Sequence, residues 1–229
     1  MSLKQKLEFL EDDDDPGAAH QIYDLTPLTS LCEAINWHKS YVNFPGLTRV
    51  RAPRGNNAFY HCFLNSFFLP YRTRVLNTIQ LQPANIIRMV RMELATKLGE
   101  PDDGGVTPYD RLASGVLTAC GRHDRSSCSL PDAQRSLLQD MFPATYLLEF
   151  LCDEFQKDLY LISGTTRDVY PVVDPQYLVK KRPAVVVLFM GNHFEQIVVE
   201  DKDGTQHTLF GPENKFIMKL LKRIESHMV

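Results

Sequence analysis

Two short segments, far apart in the chain, carry residue types that acyl-transfer chemistry uses. The first, residues 55–63, reads Gly-Asn-Asn-Ala-Phe-Tyr-His-Cys-Phe. Its glycine turn runs into a predicted helix, so Ala58 occupies the N-terminus of that helix. The second, residues 185–195, is a valine-rich run followed by Gly-Asn, His193, Phe194 and Glu195. A buried strand of this kind holds a histidine rigidly at the edge of a core while leaving it open to solvent.

A thiol-dependent hydrolase needs a thiolate, a base, a group that orients the base, and donors for the oxyanion. A thiol at a helix N-terminus has a lowered pKa, because the helix dipole and the first-turn amides favour the anion. Position 58 is such a place, but it holds alanine. His193 is the candidate base, and Gly55, Asn56 and Asn57 form the candidate oxyanion loop. The pattern predicts a cysteine-hydrolase site that lacks its sulfur.

The group that would orient His193 has several candidates. Glu195, two residues further along the same strand face, is the first. No Asp or Glu occurs between Ala34 and Met92, so the loop before position 58 cannot supply a carboxylate. The other candidates are Asn192, Glu200 and Asp201.

The joint pattern resembles the ovarian-tumour (OTU) family of deubiquitinating cysteine proteases. That family has Asp-Gly-Asn-Cys followed by aromatic residues, a basic residue and a small residue. Residues 57–62 follow this order from the asparagine onward, with Ala58 at the position of the family's cysteine. Residues 191–197 match its segment of Gly-x-His-aromatic-acid followed by an apolar residue, apart from Gln196. Residues 146–162 resemble its helix-to-strand unit, and the helical block after position 58 resembles the otubain branch. The aspartate before the nucleophile is missing, and Glu195 replaces a more usual Asp or Asn.

The resemblance implies a papain-like α+β fold, with a helical lobe packed on a small central β-sheet. It implies hydrolysis of the isopeptide bond after the C-terminal glycine of ubiquitin or a ubiquitin-like modifier, without metal or cofactor. Cysteine at position 58 would attack the carbonyl, His193 would transfer the proton, and Glu195 would hold the imidazole. Ubiquitin or polyubiquitin would dock on the helical lobe, residues 72–138, or on the loop 164–170. The acidic residues expected to receive its arginine-bearing tail are Asp102, Asp103, Asp153 and Glu154.

Alanine at position 58 has three interpretations. The first is a deliberate Cys-to-Ala change, which would keep the substrate bound without turnover because it removes a sulfur and little else. Alternatively, the chain is a natural pseudoenzyme that binds ubiquitin as a non-catalytic module. The third, in which Cys62 is the nucleophile, is disfavoured because Cys62 lies a helical turn further in, beyond the turn amides.

Composition limits the other classes of function. The chain has 229 residues with 44% hydrophobic and 23% charged, which is ordinary for a globular protein. A net charge of −3 gives no argument for nucleic acid or an anionic membrane. The longest apolar run, 184–190, is too short to span a bilayer, and the acids in residues 7–11 exclude a secretory signal core there. We therefore expect a cytoplasmic monomer, in host cytosol if a pathogen makes it.

The five cysteines favour reduced thiols over a disulfide framework, since their number is odd and their spacing irregular. Cys120, His123 and Cys128 could bind zinc, but a structural site needs a fourth ligand and none is near. We expect no metal site there.

The elements that must position the site follow from hydrophobic periodicity. We expect a flexible acidic tail over residues 1–20 and one domain over 21–229. Within that domain the predicted helices come first and the predicted strands after them, and this order favours the α+β class. The predicted helices cover 26–37, 58–69 ended by Pro70, 73–98 interrupted at Pro83, 109–119, 131–141, 144–155 and 216–224. The predicted strands cover 159–163, 184–190, 196–200 and 205–210, the last two forming a hairpin around Asp203-Gly204.

Overall fold

The fold is organised around one mixed sheet, seen in a computed structural model that describes residues 32–34, 44–53, 55–76, 78–115, 129–139, 142–143, 145–166, 168–170, 180–191 and 193–227. The strands of this part are β1 (Cys32–Ala34), β2 (Leu47–Arg51), β3 (Val75–Leu76), β4 (Ile79–Gln80), β5 (Asp158–Ser163), β6 (Val169–Tyr170), β7 (Ala184–Phe189), β8 (Phe194–Glu200), β9 (Gln206–His207) and β10 (Leu209–Phe210). The helices are α1 (Ala58–Phe67), α2 (Leu69–Thr73), α3 (Pro83–Leu98), α4 (Pro108–Gly115), α5 (Leu130–Leu138), α6 (Leu148–Glu154, after a 3-10 turn over Thr145–Leu147) and α7 (Lys215–His227).

The sheet runs in the order β1-β2-β8-β7-β5-β6, with β9 paired to β8 and β10 paired to β7. Strands β5 and β7 are parallel, and the other pairs of this sheet are antiparallel. Strands β3 and β4 form a separate hairpin. The valine-rich strand β7 is therefore central, as its continuous apolar run predicts.

Helices cover both faces of the sheet, and alternation along β7 explains how. Val185 and Val187 point into a core shared with α1, α3, α5 and α6. Val186 and Leu188 point to the other face, into a core shared with α7. Successive side chains of a strand point to opposite faces, so a strand buried on both must be apolar throughout. The predicted α+β class, with a helical lobe on a central sheet, is confirmed.

Several predicted elements are also confirmed. The strands at 159–163 and 184–190 and the helix at 216–224 appear within a few residues of their predicted bounds. The turn at Asp203-Gly204 forms with Gly204 at φ +85°. The hairpin that it closes pairs β8 with β9, while β10 crosses to pair with β7.

Four predictions about the elements were wrong. The helix predicted over 26–37 contains a strand at Cys32–Ala34, which pairs with Thr48–Val50. The helix predicted from Thr73 begins only at Pro83, and the hairpin β3–β4 precedes it. Pro70 does not end a helix, because it lies in the first turn of α2 and the break falls at Phe68. The order of helices before strands also fails, since β1 and β2 precede every described helix.

Some predictions lie outside the described residues. These include the acidic tail 1–20, the candidate orienting residue Asn192, residues 116–119 of the helix predicted over 109–119, and the cluster of Cys120, His123 and Cys128. Where the chain is described, no helix has both the length and the apolar character needed to cross a membrane. Nor do three or more metal-ligating side chains gather there.

Candidate functional site

The position that would carry the nucleophile begins helix α1. Gly55 adopts φ +135°, a region that side chains other than glycine rarely enter. The chain then turns through Asn57, and the amide of Ala58 donates to the carbonyl of Gly55 at 3.2 Å. Ala58 is the first residue of α1 and is buried. The predicted glycine turn into a helix N-terminus is therefore present.

His193 stands directly before strand β8. Gly191 adopts φ +84°, and the amide of Met190 donates to the carbonyl of His193 at 2.8 Å, which closes a tight turn between β7 and β8. The histidine is half-buried. It therefore lies at one end of the two central strands with part of its surface accessible, as the sequence predicts.

Aromatic side chains connect the two segments. Phe59, next to Ala58, meets Phe194, next to His193, edge-on with ring centroids 5.6 Å apart. The ring of Phe142 packs on both, at 4.9 Å from Phe59 and 4.8 Å from Phe194. The start of α1 and the start of β8 consequently share one small aromatic cluster.

Gln196 joins the same helix and strand about two helical turns further along α1. Its Oε1 accepts from Asn65 Nδ2 at 2.7 Å, and its Nε2 donates to Ser66 Oγ at 2.9 Å. Ser66 Oγ in turn donates to the carbonyl of Cys62. Gln196 stands where the OTU pattern has an apolar residue, and its two hydrogen bonds to side chains of α1 account for a polar residue at this position.

Glu195 is buried in β8, and its carboxylate accepts from Arg49 Nη1 on β2 at 3.1 Å. Strand alternation directs Phe194 and Gln196 toward α1, and Glu195 toward the other face of the sheet. Among the contacts of the described residues, Glu195 pairs with Arg49 and not with His193. Its role in orienting the imidazole stays a prediction.

Cys62 lies inside the core, with 2% of its surface exposed. Burial, with added repulsion from the Glu195 carboxylate, raises the pKa of its thiol well above the usual value. A thiol that is buried and protonated is a poor nucleophile. The geometry agrees with the expectation that Cys62 does not replace a cysteine at position 58.

Arg91 is a residue at this site that sequence reasoning missed. It lies on α3, is 2% exposed, and donates through Nη1 to Asn57 Oδ1 in the loop before Ala58. The available signal was its spacing: Ile87, Arg91 and Leu94 share one helical face, which places a guanidinium on an apolar stripe. A cation at such a position requires buried acceptors, but spacing alone does not identify them.

The acidic residues predicted to receive a basic ubiquitin tail are largely engaged within the chain. Asp102 pairs with Arg111, Glu154 with Lys97 at 2.7 Å, and Asp153 with both Lys180 and Arg182 at 2.7 Å. Backbone amides of Val106 and Gly104 and the nearby Arg111 also lower the pKa of the exposed Asp102 carboxyl. An external arginine would have to compete with these internal cations.

A cavity of about 280 Å³ lies elsewhere, at the C-terminal end of β8. It is lined by Phe44, Val199, Asp201, His207, Phe210, Asn214 and Lys215. His193 precedes the opposite end of the same strand, so this cavity does not contain the predicted site.

Comparisons with known proteins found similarity in fold but not in sequence. No family model matches the chain, and no curated protein is significantly similar to it in sequence. The fold is similar to a solved structure of an ovarian tumour (OTU) domain in complex with ubiquitin, with a TM-score of 0.45 and 11% sequence identity. The similarity covers 79% of this chain and 84% of that chain. The function proposed below is inferred from the residues of the site and not from this neighbour.

Proposed function

We propose that this protein, with cysteine at position 58, is a deubiquitinase that hydrolyses the isopeptide bond after the C-terminal glycine of ubiquitin. The supporting observation is the contact of Phe59 with Phe194, with ring centroids 5.6 Å apart. That contact joins the start of α1, where the thiol would stand at position 58, to the start of β8, directly after His193. Alanine at position 58 then marks an inactivated form. The cytoplasmic location and monomeric state expected from composition belong to the same proposal.

The proposed reaction uses these groups in a fixed order. His193 removes the proton of a cysteine thiol at position 58, and the thiolate attacks the carbonyl carbon of the ubiquitin C-terminal glycine. Amides at the start of α1 stabilise the oxyanion. When the tetrahedral intermediate collapses, the C–N bond breaks and His193 gives its proton to the leaving lysine amine. Water, deprotonated by His193, then hydrolyses the thioester and restores the thiol.

The loop must rearrange to serve as an oxyanion site. In the resting structure the amide of Ala58 donates to the carbonyl of Gly55, so that donor is occupied. Turning the Gly55 peptide would release it. Gly55 has the freedom to turn, because it has no side chain and, apart from its chain neighbours, no atom of the described residues lies within 4 Å of where a Cβ would stand.

A non-catalytic ubiquitin-binding module is the second candidate. Two observations favour it: the alanine itself, and the pairing of Glu195 with Arg49 in place of His193. A protein without selection for catalysis needs neither the nucleophile nor a carboxylate that orients the base. This candidate predicts ubiquitin binding that does not depend on His193.

The deciding experiment restores the sulfur. We expect Ala58→Cys to cleave di-ubiquitin and to react with a ubiquitin that bears a C-terminal electrophile. Ala58→Ser and the double variant Ala58→Cys/His193→Ala are matched controls and should do neither at a measurable rate. A folded Ala58→Cys protein that binds ubiquitin but neither cleaves nor labels would refute the enzyme and favour the binding module. Absence of binding in a titration with mono- and di-ubiquitin would exclude both candidates and leave an unrelated interaction domain.

A further inference from the structure

Arg91 is a fully buried guanidinium in the middle of α3. Only 2% of the residue is exposed, and its position on α3 is otherwise part of an apolar face. Burying a cation is costly unless fixed acceptors surround it. A buried arginine in a core of this kind therefore needs a reason beyond packing.

The contacts of Arg91 connect three helices. Its Nε donates to the carbonyl of Leu137 in the last turn of α5, at 2.8 Å. Its guanidinium carbon lies 4.7 Å from the ring centroid of Tyr60 in the first turn of α1. Its Nη1 donates to Asn57 Oδ1, immediately before α1. The guanidinium is thereby held between α5 and the segment that precedes Ala58.

Asn57 stands at the N-cap of α1 but does not cap it. An N-cap asparagine usually has extended backbone and accepts from the second or third amide of its own helix. Asn57 instead has φ −91° and ψ 6°, and its side chain makes no capping hydrogen bond. Its Oδ1 is bound by Arg91. The arginine thus occupies the oxygen that would otherwise bind the amide of Phe59 or Tyr60.

We propose that Arg91 is a positioning residue, which holds Asn57 out of the capping conformation and thereby keeps the amides of Phe59 and Tyr60 available to the reacting group at position 58. The inference rests on the proposed function, because it assigns those amides to a thiolate and to an oxyanion. Unpaired amides at a helix N-terminus stabilise a neighbouring anion. Releasing Asn57 would let it relax into the capping conformation, remove those donors and shift the loop.

The test uses Ala58→Cys as its background and adds Arg91→Met, Asn57→Ala and both together. We expect Arg91→Met to lower kcat for ubiquitin cleavage at least about tenfold with a smaller change in KM, since the donors act on the transition state. The double variant should be no slower than Arg91→Met, because the two side chains act as one unit. Arg91→Lys keeps the charge but lacks the planar guanidinium, whose separate N–H groups reach both the Leu137 carbonyl and Asn57 Oδ1. It should therefore recover little of the rate.

A second readout needs no ubiquitin. The rate at which iodoacetamide alkylates the cysteine introduced at position 58, followed by mass spectrometry against pH, reports the thiolate population. Arg91→Met should move the midpoint of this profile upward by about 1 pH unit. Arg91→Lys keeps the charge that Arg91→Met removes, and its profile therefore separates loss of the cation from loss of positioning. Among the described residues, the other charged or titratable groups at this end of α1 include Tyr60 and His61 on the helix, and His193 and Glu195 at β8. All four are the same in every variant.

The control is Thr208→Val, which removes a buried hydrogen bond to the carbonyl of Ser66 at the other end of α1. It should lower stability without changing kcat or the alkylation profile. If folded Arg91→Met behaves like this control, or if Arg91→Lys restores the full rate, the positioning role is refuted. Multiplicative effects of Arg91→Met and Asn57→Ala would refute it as well. If the Ala58→Cys background itself fails to cleave ubiquitin, the proposed function fails, and the alkylation profile still decides the role of Arg91.

Discussion

Gln196→Leu is the substitution that most directly tests how the candidate site is assembled. Gln196 is 2% exposed in β8 and binds Asn65 Nδ2 at 2.7 Å and Ser66 Oγ at 2.9 Å, both on α1. It is the polar link between the strand that follows His193 and the helix that begins at Ala58. Leucine has a similar volume and is the type of residue that the OTU pattern has at this position.

The cost follows from the groups that lose a partner. Two neutral hydrogen bonds are worth about 1–3 kcal/mol together. Neither partner is stranded, because Ser66 Oγ still donates to the carbonyl of Cys62 and the half-buried Asn65 can reach water. The more apolar leucine returns up to about 1 kcal/mol through burial. We therefore expect Gln196→Leu to lower the free energy of unfolding by about 1–2 kcal/mol, and Tm by about 2–8 °C.

Urea unfolding followed by far-ultraviolet circular dichroism measures this change, and a double-mutant cycle assigns it. Gln196→Leu and Ser66→Ala should be less than additive by about 0.5–1.5 kcal/mol, because both remove the same hydrogen bond. Ser129→Ala, which removes the N-cap of the distant helix α5, should add fully to Gln196→Leu. A Gln196→Leu protein as stable as the parent, or a coupling of zero with Ser66→Ala, would show that this link does not hold α1 against β8.

Three further predictions address burial and pH. Because burial raises the pKa of the Cys62 thiol, iodoacetamide at pH 8 should leave it unmodified in the folded chain and modify it after unfolding in urea; labelling at equal rates in both states would contradict its burial. Burial also raises the pKa of Tyr60 to about 12 from 10.0, although the charge of Arg91 lowers it. Between pH 10 and 12 the unfolded chain loses a proton that the folded chain keeps, so stability should fall with rising pH by up to about 3 kcal/mol relative to Tyr60→Phe; parallel curves for the two proteins would refute this. Asp158, 2% exposed, accepts from the amide and Nε of Arg182, so Asp158→Asn should lower the free energy of unfolding by about 2–4 kcal/mol, whereas Asp203→Asn on an exposed turn should change it little.

Local patterns predicted much of what surrounds the site. The valine run of residues 184–190 predicts a strand buried on both faces, and β7 is such a strand. The Gly-Asn-Asn turn predicted a helix start at Ala58, and α1 begins there. These predictions succeeded because the cause of each structure lies within a few neighbouring residues: periodic burial in one case, and the conformational freedom of glycine in the other.

The predictions that failed depended on partners far along the chain. Residues 32–34 form a strand because β2 offers them an edge, and no local pattern reveals that edge. The β3–β4 hairpin turns through Thr78 at φ +67°, where threonine follows Asn77 in place of the glycine that usually completes such a turn signal. Both segments have apolar residues that also fit a helix, so periodicity alone selected the wrong element.

The sequence by itself determined the central strands, the helix that begins at Ala58 and the residue types that could act together as a thiol-hydrolase site. Only the tertiary structure decided the partners of the polar groups around that site: Gln196 with α1, Glu195 with Arg49, and Arg91 with Asn57. The physical reason is that a buried polar side chain must find a hydrogen-bonding partner at about 3 Å. Which group meets it at that distance depends on how separate helices and strands pack, and spacing along one chain does not contain that information.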